Sequence, residues 1–335
     1  GTSMEVNDVL QAMQQNLDQL LGRANVVACG VGYKVTAEGP TDEPAVVVSV
    51  TEKVPAAQLS ENDLVPKTVS GAKTDVIETG VIRAFQDHRS RWRPTIPPGV
   101  SIGHLGVTAG TFGCLVRKRG ENLILSNNHV LADSNAGRAG DAVLQPARHD
   151  GGTADDKVAT LVEYVPLDFG DKEPTCDLAK TVQDTLNLAA QAVGSDHRLS
   201  CYQATEGTNL VDAALARPVE PGLLSAEILE IGLPRGVRTA ALGMAVQKSG
   251  RTTGFTRGQI IQVAVTTQVS YGGRAVKFTD QLMAGAMSAP GDSGSAVLDE
   301  GGYVVGLLFA GSDTVTMINP IQAVIDALGI EIVSQ

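Results

Sequence analysis

Apolar residues recur at helical spacing up to Gly22, with Val6, Leu10, Met13, Leu17, Leu20 and Leu21 on one face, which predicts an amphipathic helix. Strands are predicted from Asn25 to Val35 and from Glu43 to Thr51, with a short helix or turn between Pro55 and Leu64. A third strand runs from Thr74 to Phe85 and completes a small α+β unit, residues 1–86. The tract Asp87 to Val100 carries Arg89, Arg91, Arg93, Pro94, Pro97 and Pro98 without periodicity and reads as a linker. From Gly110 the pattern shortens to strands: Thr111 to Lys118, Leu123 to Ser126, Asp141 to Gln145 and Val158 to Val165. Between Asp177 and Val193 it turns helical again, with Leu178, Val182, Leu186, Ala189 and Val193 in register, as an inserted helix would be. Strands resume at Leu210 to Ala216, Lys248 to Val263, Gln268 to Leu282 and Val304 to Ala310. Asn319 as cap, Pro320 at the first helical position and Gly329 as stop then frame a C-terminal helix.

Composition narrows the class. With 335 residues, 43% of them hydrophobic and 19% charged, the chain can bury a large core in two or three domains. Its 37 glycines between short Val/Ile/Leu runs favour a mostly β protein of barrels or sandwiches. The formal charge of -11 excludes a nucleic-acid groove or an anionic membrane surface as the working partner, since either needs clustered Lys and Arg. No apolar run is long enough to cross a bilayer, and no basic-then-apolar leader is visible. Gly1-Thr2-Ser3 before Met4 reads as a cloning remnant, so the expected start is Met4 and the expected compartment cytoplasmic. Cys29, Cys114, Cys176 and Cys201 are too sparse for a disulfide scaffold and lack C-x-x-C spacing. Free thiols are expected, with a Cys176–Cys201 bridge as the weaker option. No metal and no cofactor are expected.

The densest chemical signal is Ser288-Ala289-Pro290-Gly291-Asp292-Ser293-Gly294-Ser295. A serine hydroxyl attacks a carbonyl only when a base takes its proton and preorganised donors meet the oxyanion. A Gly-Asp-Ser-Gly turn would present the Ser293 hydroxyl together with the N–H groups of Gly291 and Ser293 as an oxyanion hole. Alone, such a cluster is equally an ordinary surface turn. Of the five histidines, His88 lies in the linker, His104 lacks a strand-exit setting, and His149 and His197 sit in polar loops. His129 stands at the exit of a strand, in Ser-Asn-Asn-His-Val-Leu, and is the candidate base. A carboxylate must orient its ring. Asp177 opens the inserted helix, where capping already explains an acid. Asp212 begins a strand of small apolar residues, where a buried acid is costly unless it holds a partner. Asp212 is favoured, and Asp177 remains the alternative.

His129, Asp212 and Ser293 occur in the chain order of the chymotrypsin/trypsin-like serine peptidases, which residues 100 to 330 resemble. Asn-Asn-His-Val, Lys248-Ser249-Gly250-Arg251-Thr252-Thr253-Gly254 and Val305-Gly306-Leu307-Leu308-Phe309-Ala310-Gly311 are similar to the intracellular bacterial and plant branches, such as HtrA-type peptidases and plant narrow-leaf proteins. The resemblance implies two six-stranded antiparallel β-barrels with the triad in the cleft between them, closed by a C-terminal helix. It sets barrel 1 at about 101–220, barrel 2 at about 221–318 and the helix at 319–329, after the N-terminal α+β domain and the 87–100 linker. The activity implied is that of a regulated serine endopeptidase acting on a protein or peptide, without nucleic acid or membrane; a peptidase fold with an idle site, kept for binding, is the other reading. Val130 stands where the partner of Cys114 would be, so the family disulfide is absent. The family offset places Met287 at the floor of the primary pocket, with Phe309, Ala310 and Gly311 as its wall, and implies a small or medium apolar residue at the cleavage site. The N-terminal domain would regulate access or select partners. Its helix is expected to dock on its own domain, with homo-oligomer formation through that domain left open.

Overall fold

The chain divides at residues 85 and 86 into two compact units. A computed structural model describes residues 4–335 apart from 83, 85, 86, 205 and 206, so Gly1-Thr2-Ser3 and the far end of the expected 74–85 strand lie outside the described residues. In the first unit α1 (Val6–Leu21) packs on a sheet of β1 (Val26–Thr36), β2 (Gly39–Val50), β3 (Thr68–Val69) and β4 (Ala72–Glu78), in the order β1-β2-β4-β3. β2 and β4 are parallel, and the other pairs antiparallel. The helix buries Val9, Ala12 and Leu20 against Val46, Val48 and Ala72, while Val6, Leu10 and Leu21 stay exposed. Two apolar stripes overlap on α1, and the sheet takes the one with a small residue, Ala12, at its centre, where backbones approach closely. Pro55 to Leu64 holds only a single 3₁₀ turn, Ala56–Gln58.

The second unit opens with β5 (Ser101–His104), β6 (Gly110–Thr111), β7 (Cys114–Lys118), β8 (Glu121–Ser126), the one-turn α2 (Asn128–Leu131), β9 (Ala142–Leu144) and β10 (Lys157–Tyr164). An excursion of β11 (Asp171–Lys172), α3 (Asp177–Ala192) and β12 (Gln203–Ala204) precedes β13 (Thr208–Asn209) and β14 (Ala214–Pro218). β15 (Ala245–Gly250), β16 (Gly254–Tyr271), β17 (Arg274–Gly285), β18 (Ala296–Asp299), β19 (Val304–Gly311) and β20 (Val315–Pro320) lead to α4 (Ile321–Leu328) and β21 (Glu331–Ile332).

These strands form two rings. In the first, β7-β8-β14-β10-β9-β5-β6 are neighbours in that order. Since β6 and β7 are successive stretches of one bent strand, the sheet closes as six staves, with β21 added beside β7. In the second, β17-β16-β15-β18-β19-β20 close through pairing of β17 with β20. Phe112, Ile124 and Leu161 fill the first ring, and Val246, Ile260 and Leu308 the second. A third cluster, including Leu125, Leu215, Leu307 and Val324, joins the rings to α4. The protein is thus mostly β, with two curled sheets and a small α+β unit ahead of them.

Three expectations are corrected, and that of free thiols is met. The 87–100 tract is not a free linker: Ile96 and Val100 are fully buried, His88 Nδ1 bonds Gly99 O at 2.8 Å, and Arg93 and Trp92 bond Gln145. Irregular chain buries residues without periodicity, so no pattern betrayed it. The strands expected to break between Val263 and Gln268 run on, because Ala264 takes φ +54° and bulges absorb the irregularity; the turn comes at Gly272 and Gly273, with φ +58° and +88°. Asn319 does not cap α4, whose N-cap is Pro320, but stays in β20. Cys176 and Cys201 are free thiols, as are Cys29 and Cys114; burial pushes Cys114 up to about 12. Among the described residues no helix is long and apolar enough to cross a membrane.

Candidate active site

β8 ends in buried Ser126 and hands the chain to Asn127 and α2, which carries His129. Asn127 Nδ2 donates to Asp212 O at 2.8 Å, and Asn128 Nδ2 donates to Asn135 Oδ1 and Val165 O, both at 2.8 Å. These amides clamp the turn, so the imidazole leaves it in one direction. Asp212 sits just before β14 and is fully buried. Its Oδ2 accepts from His129 Nδ1 at 2.5 Å, and its Oδ1 accepts the His129 backbone N–H at 3.2 Å. A carboxylate so placed fixes the imidazole tautomer, leaving Nε2 as the free acceptor. Asp177, the alternative, is exposed at the start of α3.

Ser293 and His129 line one cleft of about 910 Å³ between the rings. The Ser293 hydroxyl donates to Phe309 O at 3.4 Å, and among the described residues no hydrogen bond joins it to His129. Its turn is held from several sides. Gly291 takes φ +100°, and a Cβ there would run into Thr252 Oγ1. Thr252 Oγ1 donates to Pro290 O at 2.7 Å and Thr111 Oγ1 to Gly291 O at 2.9 Å, which draws both carbonyls away from the cleft. The N–H groups of Gly291 and Ser293 have no protein acceptor among the described residues. Thr111 also donates its N–H to Ser293 O at 2.8 Å and accepts the Arg251 N–H on Oγ1 at 2.9 Å, linking the rings beside the Ser293 turn. Gly294, at φ +95°, has no room for a Cβ beside Ser126 Oγ and Thr111 O.

Asp292, fully buried, anchors the turn from behind. It accepts the N–H groups of Ala289 (2.9 Å), Thr252 (2.8 Å) and Thr253 (3.1 Å) and the Thr253 hydroxyl (2.6 Å). Lys248, also fully buried, brings its ammonium to 3.9 Å from Asp292 Oδ2. Burial drives Lys248 down to about 8, against the upward pull of Asp292 and Glu230. Arg251, whose neighbours supply two of those N–H donors, is itself fixed by a two-pronged pair with buried Asp150 (2.8 and 2.5 Å).

Of the pocket residues, Phe309, Ala310 and Gly311 line the cleft. Met287 does not. It is buried in the second ring with its thioether against Gly258, because it points inward just past the end of β17. Ser288 lines the cleft in its place, bonded through its hydroxyl to Thr316 Oγ1 at 2.6 Å.

Sequence reasoning missed two residues. Tyr271, at the end of β16, donates its phenol to Asp212 Oδ2 at 2.7 Å, and its ring stands edge-on to His129 at 5.7 Å between centroids. Burial and then the charge of Asp212 hold that phenol far above the ordinary tyrosine range. Asn319 accepts the Asp212 N–H at 3.0 Å and donates to Gln281 Oε1 at 2.7 Å. Asn319 carried a signal: it is polar inside the apolar run of β20, the same argument that singled out Asp212.

None of the curated proteins matches this chain. Among solved structures it is similar to Thermobifida fusca protease A, with 19% identity over 72% of this chain and 100% of that one, at a TM-score of 0.47. Cellulomonas bogoriensis chymotrypsin gives 17% identity, 72% and 100% coverage and a TM-score of 0.44. The Rv3671c protease of M. tuberculosis gives 20%, 68% and 84%, and 0.37. The model of the trypsin-like peptidase domain matches residues 110–307, more than half of the chain and the stretch that carries His129, Asp212 and Ser293; the chain belongs to that family.

Proposed function

We propose that this protein is a serine endopeptidase in which Ser293 is the nucleophile, His129 the general base and then acid, and Asp212 the carboxylate that holds His129. The observation that carries this reading is the shared cleft: a His–Asp pair at 2.5 Å and a serine on a glycine turn with two unengaged N–H groups. The Ser293 hydroxyl would turn from Phe309 O to His129 Nε2 as a peptide enters. His129 takes the proton while Oγ attacks the carbonyl, and the N–H groups of Gly291 and Ser293 receive the oxyanion. Asp212 stays ionised and stabilises the imidazolium. His129 then protonates the leaving amine, and water, activated by the same base, releases the acyl group. Ser288, Phe309, Ala310 and Gly311 wall the cleft beside Ser293, which supports a small or medium apolar residue at the cleavage site. The substrate is a protein or peptide in the cytoplasm, and the N-terminal unit regulates access or selects the partner.

The Ser293–Phe309 bond favours, as a second reading, a peptidase fold with an idle site. A fluorophosphonate probe separates the two. Labelling of the wild type, lost in Ser293→Ala, is expected of the peptidase; a folded wild type that resists the probe at all concentrations supports the idle scaffold.

A further inference from the structure

Asp212 is served by more than the residues of the proposed triad. Its Oδ2 accepts two donors, His129 Nδ1–H and the Tyr271 phenol at 2.7 Å, while Oδ1 takes the His129 backbone N–H. Tyr271 belongs to neither the loop of His129 nor that of Asp212. It arrives from the tip of the β16–β17 hairpin, 59 residues further along the chain than Asp212. The ring is packed on both sides, stacked with Phe278 at 6.2 Å and edge-on to Phe169 at 6.3 Å. The hairpin has its own anchor: Arg274, just past the Gly272-Gly273 turn, lies 4.5 Å over the Phe169 ring and pairs with Asp171 at the root of the α3 excursion.

We propose that Tyr271 is a positioning residue for the His129–Asp212 pair, and that the docked hairpin tip is part of the active machinery. The proposal rests on the serine-peptidase reading. Three donors fix the plane of the carboxylate, so Nε2 of His129 is aimed at one point in the cleft. The phenol also spreads the negative charge of Asp212. That charge must hold an imidazolium in the transition state without taking its proton, and a second strong donor on Oδ2 keeps the proton on His129. Because the phenol stays protonated throughout the working range, it acts as a constant donor. Phe169 and Arg274 seat the hairpin, so the pair's geometry depends on contacts made outside both rings.

Tyr271→Phe removes the hydroxyl and keeps the packed ring. The expected result is a fall of about tenfold in kcat on a small p-nitrophenyl ester with KM unchanged, within the range for a hydrogen bond to a charged group. The acidic limb of the kcat/KM profile moves to higher pH, because the less stabilised Asp212 charge holds the imidazolium more strongly. Arg274→Ala produces part of the same kcat loss, and the double variant is no slower than Tyr271→Phe, since both act through one hydroxyl. A second readout does not need turnover: in Ser293→Ala protein, the low-field proton resonance of the His129–Asp212 bond shifts when Tyr271→Phe is added. A probe-resistant wild type whose low-field proton nonetheless responds to Tyr271→Phe would sink the peptidase reading and leave the positioning role standing. Unchanged kcat, pH limb and low-field proton in folded Tyr271→Phe would overturn the positioning role.

Discussion

Replacing Lys248 by Met removes the buried ammonium 3.9 Å from Asp292 while keeping most of the side-chain volume. At the observed 3.9 Å, with an effective dielectric of about 20, the lost attraction is about 4 kcal/mol. An exposed pair would be worth about 0–1 kcal/mol, but both groups here are fully buried, so the case is that of breaking a buried pair, about 3–5 kcal/mol. Met no longer has to bury an ammonium, and because that burial outweighs the pull of Asp292 on Lys248, the relief offsets the lost attraction and no net loss of stability is expected below pH 8. Asp292 keeps its four hydrogen-bond donors, but with the nearby ammonium gone the buried carboxylate holds the turn less firmly, and the N–H groups of Gly291 and Ser293 lose their fixed direction. Loss of their converging N–H groups should lower kcat/KM by about 10²–10³-fold. The wild type offers an internal control. Lys248 loses its proton near pH 8, so kcat/KM should fall as pH rises through about 8. Stability runs the other way. The folded value lies below the unfolded 10.5, so between about 8 and 10.5 the unfolded chain binds more protons. Lys248 therefore costs most stability below 8, and that cost is relieved as pH rises toward 10.5. The assay is ester hydrolysis across pH 6–10, run beside urea unfolding at each pH. The reasoning is refuted if Lys248→Met keeps activity within about threefold of wild type and retains the alkaline limb.

Asp212→Asn should lower kcat by about 10⁴, whereas Asp177→Asn, at an exposed helix start, should stay within about twofold in the same ester assay. Gly294→Ala places a Cβ against Ser126 and Thr111 at φ +95° and should cost about 3 kcal/mol, read as a lowered urea midpoint with unchanged slope. Excising residues 173–202 and joining Lys172 to Gln203 through a Gly-Gly turn should leave stability within about 1 kcal/mol. No residue of α3 is buried, and β11 and β12 already pair at the cut.

The site was legible where its residues were local. Gly-Asp-Ser-Gly and Asn-Asn-His-Val are short runs whose chemistry is stated by neighbours, and Asp212 stood out as an acid in a strand of small apolar residues. Tyr271 was not legible, since a tyrosine before two glycines describes a hairpin tip as well as anything else. Its meeting with Asp212 depends on the register of β16 and β17 through several bulges. Asn319 reaches Asp212 across 107 residues and was read as a cap because a following proline makes that reading attractive. Met287 was placed by counting back from Ser293, but a count does not know which way a side chain points. The rings were legible as β texture with breaks at Gly and Asn; their closure was not, because β6 and β7 share one strand between two partners.

Thr111 ties a stave of the first ring to the second through three hydrogen bonds, two to the Ser293 turn and one from Arg251. Rocking the rings apart would break all three at about 1 kcal/mol each and collapse the very turn that an open cleft would serve. The two rings are therefore tied at the point where the cleft forms, and the Ser293 turn keeps its shape only while both stay in place. The same tie constrains inheritance: a recombined chain that takes one ring from a distant relative must bring a matching Thr111 and Gly294 together, or it loses the shape of the Ser293 turn while keeping both rings.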